Sequence, residues 1–381
     1  DSSSLSRVYN RAMTNKLLGT LTPAAFLRRH WQKKPLLVRG AVPDCGAWLT
    51  RGYLVALAAR DEVESRLVTR ERGRWRVEHG PISAARMKRL PARGWTLLVQ
   101  GLEQHDREAA RLLKAFSFIP HARLDDLMVS YAPPGGGVGP HFDSYDVFLL
   151  QGPGTRRWRI SAQKNLGLVE GAPLRILRDF RHSGEWVTRQ GDLLYLPPRY
   201  AHEGVALEAC MTLSVGFRAP RHQELASRFL EHVQDGIDFD GLYEDPDLAL
   251  QRHPGEIFPS MVEQFARVLA RIQWNAKDVR RFAGCYLTEP RPNVVFYPPS
   301  RPLSVAAFTQ GVARKGLRLA LASRMLFAAG EVFINGDAHV MPASGRRVLV
   351  RLANDREIAP GELPPALIPL LYGWYCAGYL M

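Results

Sequence analysis

Three side chains in this sequence have the types and spacing to hold a redox-active metal. His141 and Asp143 form an H-x-D inside LMVSYAPPGGGVGPHFDSYDVFLLQGPGTRRWRI, which runs from Leu127 to Ile160. If that stretch is a β-strand, residues i and i+2 point the same way, so the imidazole and the carboxylate share a face. A second imidazole, His202, follows in GDLLYLPPRYAHE, where the Pro-rich turn would deliver it at the start of a new strand. Two imidazoles and one carboxylate are the facial ligand set of non-haem Fe(II) oxygenases, which leaves three coordination positions open. Zn(II), Mn(II) or Ni(II) could take the same ligands in vitro. The alternative is three unrelated polar residues on a β-scaffold, and the spacing and turn context favour the metal.

Two further residues fit a co-substrate carrying a carboxylate. Arg156 opens the strand after the Gly152-Pro153-Gly154 turn, and alternation places it with Trp158 on one face and Arg157 with Arg159 on the other. A guanidinium turned into a barrel needs a partner, and its planar fork matches a carboxylate. A solvated basic strand face is the competing reading. Ser130, before the glycine loop, offers a hydroxyl to the same group.

These residues need a scaffold of short strands. The alternating run SRLVTRERGRWRVEH, a strand at Thr96 to Gln100, and strands at Leu127 to Ala132, Val147 to Gln151, Arg156 to Ile160, Glu185 to Arg189 and Met211 to Phe217 are separated by Gly and Pro turns. That pattern predicts an all-β barrel or sandwich with helices attached, and a double-stranded β-helix (cupin jelly roll) suits the ligand placement. The expected domains are a catalytic one over 17–220, a helical region over 221–290 and a winged-helix-like module over 291–381. In the helical region Leu225, Phe229, Leu230 and Val233 share a face, as do Met261, Phe265, Val268, Leu269 and Ile272. Such faces serve a homodimer or pack back onto the barrel. In the C-terminal part, Val332 to Asp337 carries an Asn-Gly hairpin turn, Val348 to Leu352 reads as a strand, and Leu363 to Leu380 reads as a helix.

The 381 residues carry a formal charge of +14, with the arginines dispersed. Such a surface attracts a polyanion such as RNA or reflects an Arg-rich composition. The four cysteines are scattered, which argues for reduced thiols in a cytoplasmic protein and against a zinc site or disulfide framework. No apolar run reaches the roughly 18–20 residues of a membrane span. The opening DSSSLS reads as a trimmed terminus and is set aside.

The segments FLRRHWQKKPLLVRG, DDLMVSYAPPGGGVGPHFDSYDVFLLQGPGTRRWRI, GDLLYLPPRYAHEG and SVGFRAP resemble the bacterial ribosomal oxygenases of the JmjC group. Within that group the resemblance is to the branch that hydroxylates an arginine of ribosomal protein sixteen of the large subunit. The likeness runs from about Ala24 through Pro220, and Arg221 to Met381 is similar in layout only. It implies that His141, Asp143 and His202 ligate Fe(II), that Ser130 and Arg156 bind the far carboxylate of 2-oxoglutarate, and that O2 is the oxidant. Decarboxylation of 2-oxoglutarate to succinate would accompany hydroxylation of the arginine β-carbon. Other JmjC proteins often carry Lys at the anchor, so Arg156 points away from the histidine-hydroxylating relatives.

A cationic substrate calls for acidic and aromatic groups at the mouth. Asp146, Glu203, Tyr131 and Tyr145 are the residues considered. The rivals are a histidine-hydroxylating oxygenase or a JmjC demethylase using the same oxidant, a non-catalytic cupin binding module, and a winged-helix nucleic-acid-binding regulator; for the hydroxylase only weak contact with rRNA is expected.

Overall fold

Gly- and Pro-bearing turns cut the chain from Leu36 to Phe217 into short strands. The structure, a computed structural model, describes residues 17–381. The DSSSLS opening lies outside the described residues. The strands are β1 (Leu36–Val38), β2 (Ser65–Glu71), β3 (Arg74–His79), β4 (Trp95–Val99), β5 (Leu124–Ala132), β6 (Val147–Gln151), β7 (Arg156–Ser161), β8 (Gly184–Thr188), β9 (Leu193–Leu196), β10 (Ala201–Ala206) and β11 (Cys210–Phe217). They form an eight-stranded sheet in the order β1-β9-β6-β11-β5-β4-β2-β3 and a three-stranded sheet, β10-β7-β8. Every pair is antiparallel, and the crossings between the sheets build the double-stranded β-helix.

Alternation sorts side chains between two cores. Leu127, Val129, Phe148, Leu150, Tyr195, Leu213, Val215 and Phe217 face outward from the large sheet and pack with Phe26, Leu54 and Phe116 from the N-terminal helices. Each such buried apolar side chain stabilises the fold by about 1.5–3 kcal/mol. Their strand neighbours Val147, Leu149 and Leu194 turn inward to meet Trp158 and Ile160 of the small sheet.

The H-x-D segment is not the β-strand its alternation predicts. His141 makes only a single bridge, donating its N–H to the His202 carbonyl at 2.9 Å and accepting the His202 N–H at 2.8 Å. Phe142 and Asp143 lie outside any strand. The Pro140 ring cannot donate to a ladder, and the Asp143 carbonyl accepts from Arg199 N–H at 2.7 Å across the Pro197-Pro198 turn. The segment is extended but held by turns.

Beyond the barrel come helices His222–Gln234, Pro259–Leu269 and Ala276–Thr288. The third was not anticipated, although Asn275 and Asp278 close a capping box at its start. Helices Val305–Lys315, Arg346–Asp355 and Ile368–Cys376 then pack around β12 (Leu317–Arg318), β13 (Met325–Ala328), β14 (Glu331–Ile334), β15 (Asp337–Val340) and β16 (Glu357–Ile358). The Asn335-Gly336 turn joins β14 to β15 with positive φ at both residues. Val348 to Leu352 is helical, not a strand, because Leu349, Leu352 and Ala353 bury one helical face. The C-terminal helix is shorter than expected, starting at Ile368 and ending at Cys376. Among the described residues no helix is long and apolar enough to cross a membrane.

Candidate active site

The Pro197-Pro198-Arg199 turn, with Arg199 in the left-handed region at φ 63°, starts β10 so that His202 points into the barrel. His141, Asp143 and His202 present ligand atoms within 4.8 Å of one another. His202 Nε2 lies 3.7 Å from Asp143 Oδ2, and the two imidazole centroids are 4.2 Å apart. Each ring is oriented by a backbone carbonyl: His141 Nδ1 sits 2.9 Å from Gly139 O, and His202 Nδ1 sits 2.9 Å from Tyr200 O. A carbonyl at Nδ1 fixes the tautomer with the proton there and leaves both Nε2 lone pairs free for a metal. Burial, with His141 adding to it, pushes the His202 imidazolium down to about 4, so the ring is neutral near pH 7.

Deeper in the barrel, Arg156 is 4% exposed, and its Nε and Nη2 are buried without a hydrogen-bond partner. Its guanidinium carbon is 5.6 Å from the Trp158 ring centroid, and that ring lies 6.0 Å from His202. Gly204 makes room for the indole, since a Cβ there would sit 2.5 Å from the Trp158 ring. Ser130 is buried and pairs with Thr212 on one side and Leu98 on the other. Thr96, two residues before Leu98 and so on the same face, has a buried hydroxyl with no partner. Unpaired buried donors are costly and rare. A carboxylate-bearing ligand fits this set, with the metal site at one end and the cation at the other.

The comparisons with known proteins match this geometry. The JmjC domain family matches residues 111–225, and the ROXA-like winged helix family matches 271–381. The ribosomal protein uL16 3-hydroxylase of Escherichia coli K12 is 34% identical over 322 residues, covering 84% of this chain and 85% of its own. This chain belongs to the ribosomal oxygenase family. A probable ribosomal oxygenase of Haemophilus influenzae is 40% identical over 255 residues, 66% of this chain and 61% of that one. The structure of the E. coli ribosomal oxygenase YcfD in complex with cobalt and 2-oxoglutarate superposes with a TM-score of 0.81 at 31% identity, covering 95% of this chain and 98% of that chain.

In this ribosomal oxygenase the acidic and aromatic residues expected at the mouth are mostly elsewhere. Asp146 is fully buried on the outer side of the large sheet. It accepts from Tyr195 Oη at 2.6 Å and Gln32 Nε2 at 3.0 Å, with Arg123 at 3.6 Å, so it cannot reach a substrate. Tyr131 is on the face of β5 opposite Ser130, packed on Trp95 and under the Arg51 guanidinium. Glu203 pairs with Arg159 at 3.8 Å. Tyr145 does border the triad: Asp143 is the first cause raising its hydroxyl, followed by burial and the charges of Asp126 and Asp125.

Asp126 was missed. Counting back by two from Ser130 along β5 places it on the inward face. Its Oδ2 accepts the Gly101 N–H at 3.3 Å and lies 3.3 Å from Arg291 Nη1. Its Oδ1 faces Gly216, where a Cβ would stand 3.5 Å from that oxygen and 3.7 Å from the Tyr145 ring. A carboxylate oxygen and a tyrosine therefore flank the barrel wall at the metal end.

Proposed function

We propose that this chain is an Fe(II)- and 2-oxoglutarate-dependent hydroxylase that adds a hydroxyl to the β-carbon of an arginine in a large-subunit ribosomal protein. The observation that carries the reading is a three-ligand metal set sharing a barrel with a buried guanidinium that has two unpaired N–H groups. His141 and His202 would bind iron through Nε2 and Asp143 through a carboxylate oxygen. When bound, Fe(II), O2 and 2-oxoglutarate supply an oxidant strong enough for an aliphatic C–H, with succinate and CO2 as co-products. Arg156 would pair with the far carboxylate of 2-oxoglutarate, with Ser130 donating to the same group. Leu149, Trp158, Ile160 and Leu194 keep water from the chamber. Asp126 would accept the substrate guanidinium while Tyr145 packs beside it, which holds the target carbon toward the triad.

The test is turnover by Fe(II)-loaded enzyme with 2-oxoglutarate, O2 and an arginine-loop peptide of the large-subunit protein, read by mass spectrometry. One oxygen gained on the arginine, and none in His141→Ala or Asp143→Ala, is expected. Succinate without peptide oxidation would reject the substrate; no succinate from iron-loaded enzyme would reject the oxygenase in favour of a binding module.

The reading places the chain in the cytoplasm, where its substrate is made. A homodimer is supported by the half-exposed apolar residues Leu230, Val262, Phe265, Val268 and Leu269 on the helices after the barrel. Light scattering should give twice the chain mass, and Phe265→Glu should halve it. Contact with rRNA is supported by a groove of about 600 Å³ beside Phe142. Arg175, Arg199, Arg221 and His222 line it with no acidic residue. Binding to RNA that weakens steeply with salt, and is lost on reversing the three arginines, is the expected result.

A further inference from the structure

Two guanidiniums from outside the barrel close on the first residues of β5. Arg291 lies in the coil after helix Ala276–Thr288, and Arg324 immediately precedes β13. Both belong to the segment matched by the winged-helix family. Arg291 Nη2 is 2.9 Å from Asp125 Oδ1, and its Nη1 is 3.3 Å from Asp126 Oδ2. Arg324 donates to the carbonyls of Leu124 and Asp125 and lies 3.9 Å from Asp125 Oδ1, while Arg218 Nε is 3.4 Å from that same oxygen. Buried Glu103 joins the group by accepting the Leu127 N–H at 2.9 Å. With Glu64 Oε2 at 4.0 Å from Arg291 Nη1, four carboxylates thus face three guanidiniums at the end of β5 nearest the triad.

The partners are not shared equally. Arg218 and Arg324 reach Asp125, whereas among the described residues Arg291 is the one guanidinium within 4 Å of the Asp126 carboxylate. Its Nη1 holds Asp126 Oδ2 while its Nη2 holds Asp125, and Oδ1 of Asp126 is the oxygen left facing Gly216 and Tyr145.

We propose that Arg291, supplied by the C-terminal module, is a positioning residue for the substrate pocket: it locks Asp126 by Oδ2 and keeps it charged, so that Oδ1 meets the substrate guanidinium. The inference rests on the assignment of Asp126 under Proposed function. It gives the winged-helix module a task in the hydroxylase that needs no nucleic acid.

The physical argument is electrostatic. The groups around Asp126 are Asp125 and Glu103, which oppose its charge, Arg291 and the Gly101 N–H, which favour it, and Tyr145 across Gly216; Glu64 lies 4.0 Å from Arg291 Nη1, and Arg66 acts on Tyr145. Arg218 and Arg324 act on it through Asp125. Burial and Asp125 already raise the Asp126 carboxyl, against the pull of Arg291. Without that guanidinium the acid would hold its proton to higher pH, and a neutral acid is a poor partner for a cation.

The experiment uses the full-length, Fe(II)-loaded enzyme and the arginine peptide, with kcat and KM followed from about pH 5 to pH 9. Arg291→Met is expected to raise peptide KM about tenfold or more, leave the 2-oxoglutarate KM within about twofold, and move the acid limb of kcat/KM to higher pH. Arg291→Lys, which keeps the charge without the fork, should restore the limb and part of the KM. Should Arg291→Met yield too little folded protein, Arg291→Gln gives the same readouts. An unchanged peptide KM and acid limb in the Arg291 variant, with KM raised in Asp126→Asn, would overturn the inference and leave the pocket intact. An equal fall in every parameter and in Tm, with the limb unmoved, would make Arg291 merely structural and also overturn it. An unchanged KM in Asp126→Asn would remove the pocket assignment itself, and the inference with it.

Discussion

Replacing Arg156 by methionine should produce two effects of opposite sign. In the binding step the variant loses a paired guanidinium–carboxylate contact. Hydrogen bonds to charged groups contribute about 1.5–3 kcal/mol each, so two of them amount to roughly 3–6 kcal/mol. At about 1.4 kcal/mol per decade, the KM for 2-oxoglutarate should rise by about 10²- to 10⁴-fold. In the free enzyme the same substitution removes a 4%-exposed guanidinium whose Nε and Nη2 have no partner. Exchanging a buried charge for an apolar side chain of similar volume is commonly neutral, or stabilising by about 1–4 kcal/mol. The Tm of the enzyme without co-substrate should therefore hold or rise. Succinate formation against 2-oxoglutarate concentration gives the first quantity and thermal denaturation the second. A KM within about threefold of the parent, or a falling Tm with KM unchanged, would refute the anchoring role.

Three further outcomes follow from the geometry. Gly204→Ala puts a methyl 2.5 Å from the Trp158 ring. Overpacking should cost about 1–3 kcal/mol and displace His202, read as a lower Tm and weaker Co(II) binding by absorption titration. Asp146→Asn should lower Tm by the equivalent of roughly 3 kcal/mol through its buried partners Tyr195 and Gln32; peptide KM should stay put, and a raised KM at constant Tm would reinstate Asp146 as a substrate residue. Glu103 is pushed up to about 7 by burial and Asp126, so the folded state binds the extra proton between its ordinary carboxylate pKa and about 7. Stability is therefore lost as pH rises across that window, by up to about 3 kcal/mol at about 1.4 kcal/mol per pKa unit. Glu103→Gln should raise Tm at pH 8 and leave it unchanged at pH 4.5 in denaturation scans.

The cluster of His141, Asp143 and His202 was legible because each is tied to a local signal: an H-x-D pair and a Pro-Pro turn that launches a strand. Arg156 was legible because period 2 separates it from Arg157 and Arg159, and those two do turn outward to Glu185. Asp146 misled because its closeness in sequence to Asp143 says nothing about facing. Two residues beyond the Ser144-Tyr145 bend, β6 begins, and the side chain passes to the other side of the sheet. Asp126 was in reach of strand alternation, which places it on the face of Ser130 four residues back along β5. Arg291 was not, since nothing local in a Pro-rich coil announces a contact 165 residues away. Val348 to Leu352 failed for another reason, because five residues with four apolar ones do not distinguish a short strand from one turn and a half of buried helix.

The placement of Asp126 and Ser130 on one face of β5 bears on how the reaction is directed. Four residues of strand separate them by roughly 13 Å along the sheet. On the opposing sheet His202 pairs with Ile160 and Ala206 pairs with Arg156, the same four-residue interval. The two walls are thus in step: Ser130 stands on the inward face of one as Arg156 does on the other, while Asp126 and His202 belong to the metal end. On the proposed function, substrate and co-substrate would be held on either side of the metal site along one barrel, each by a charge opposite to its own. Asp126 would take the substrate guanidinium at the metal end, and Arg156 would take the co-substrate carboxylate at the other. A cation-only pocket beside the metal would repel an arginine, and an acidic one beside Arg156 would repel 2-oxoglutarate. On the proposed function, the charge order along β5 and β7 would itself be a source of selectivity, and the C-terminal module would take part in it through Arg291.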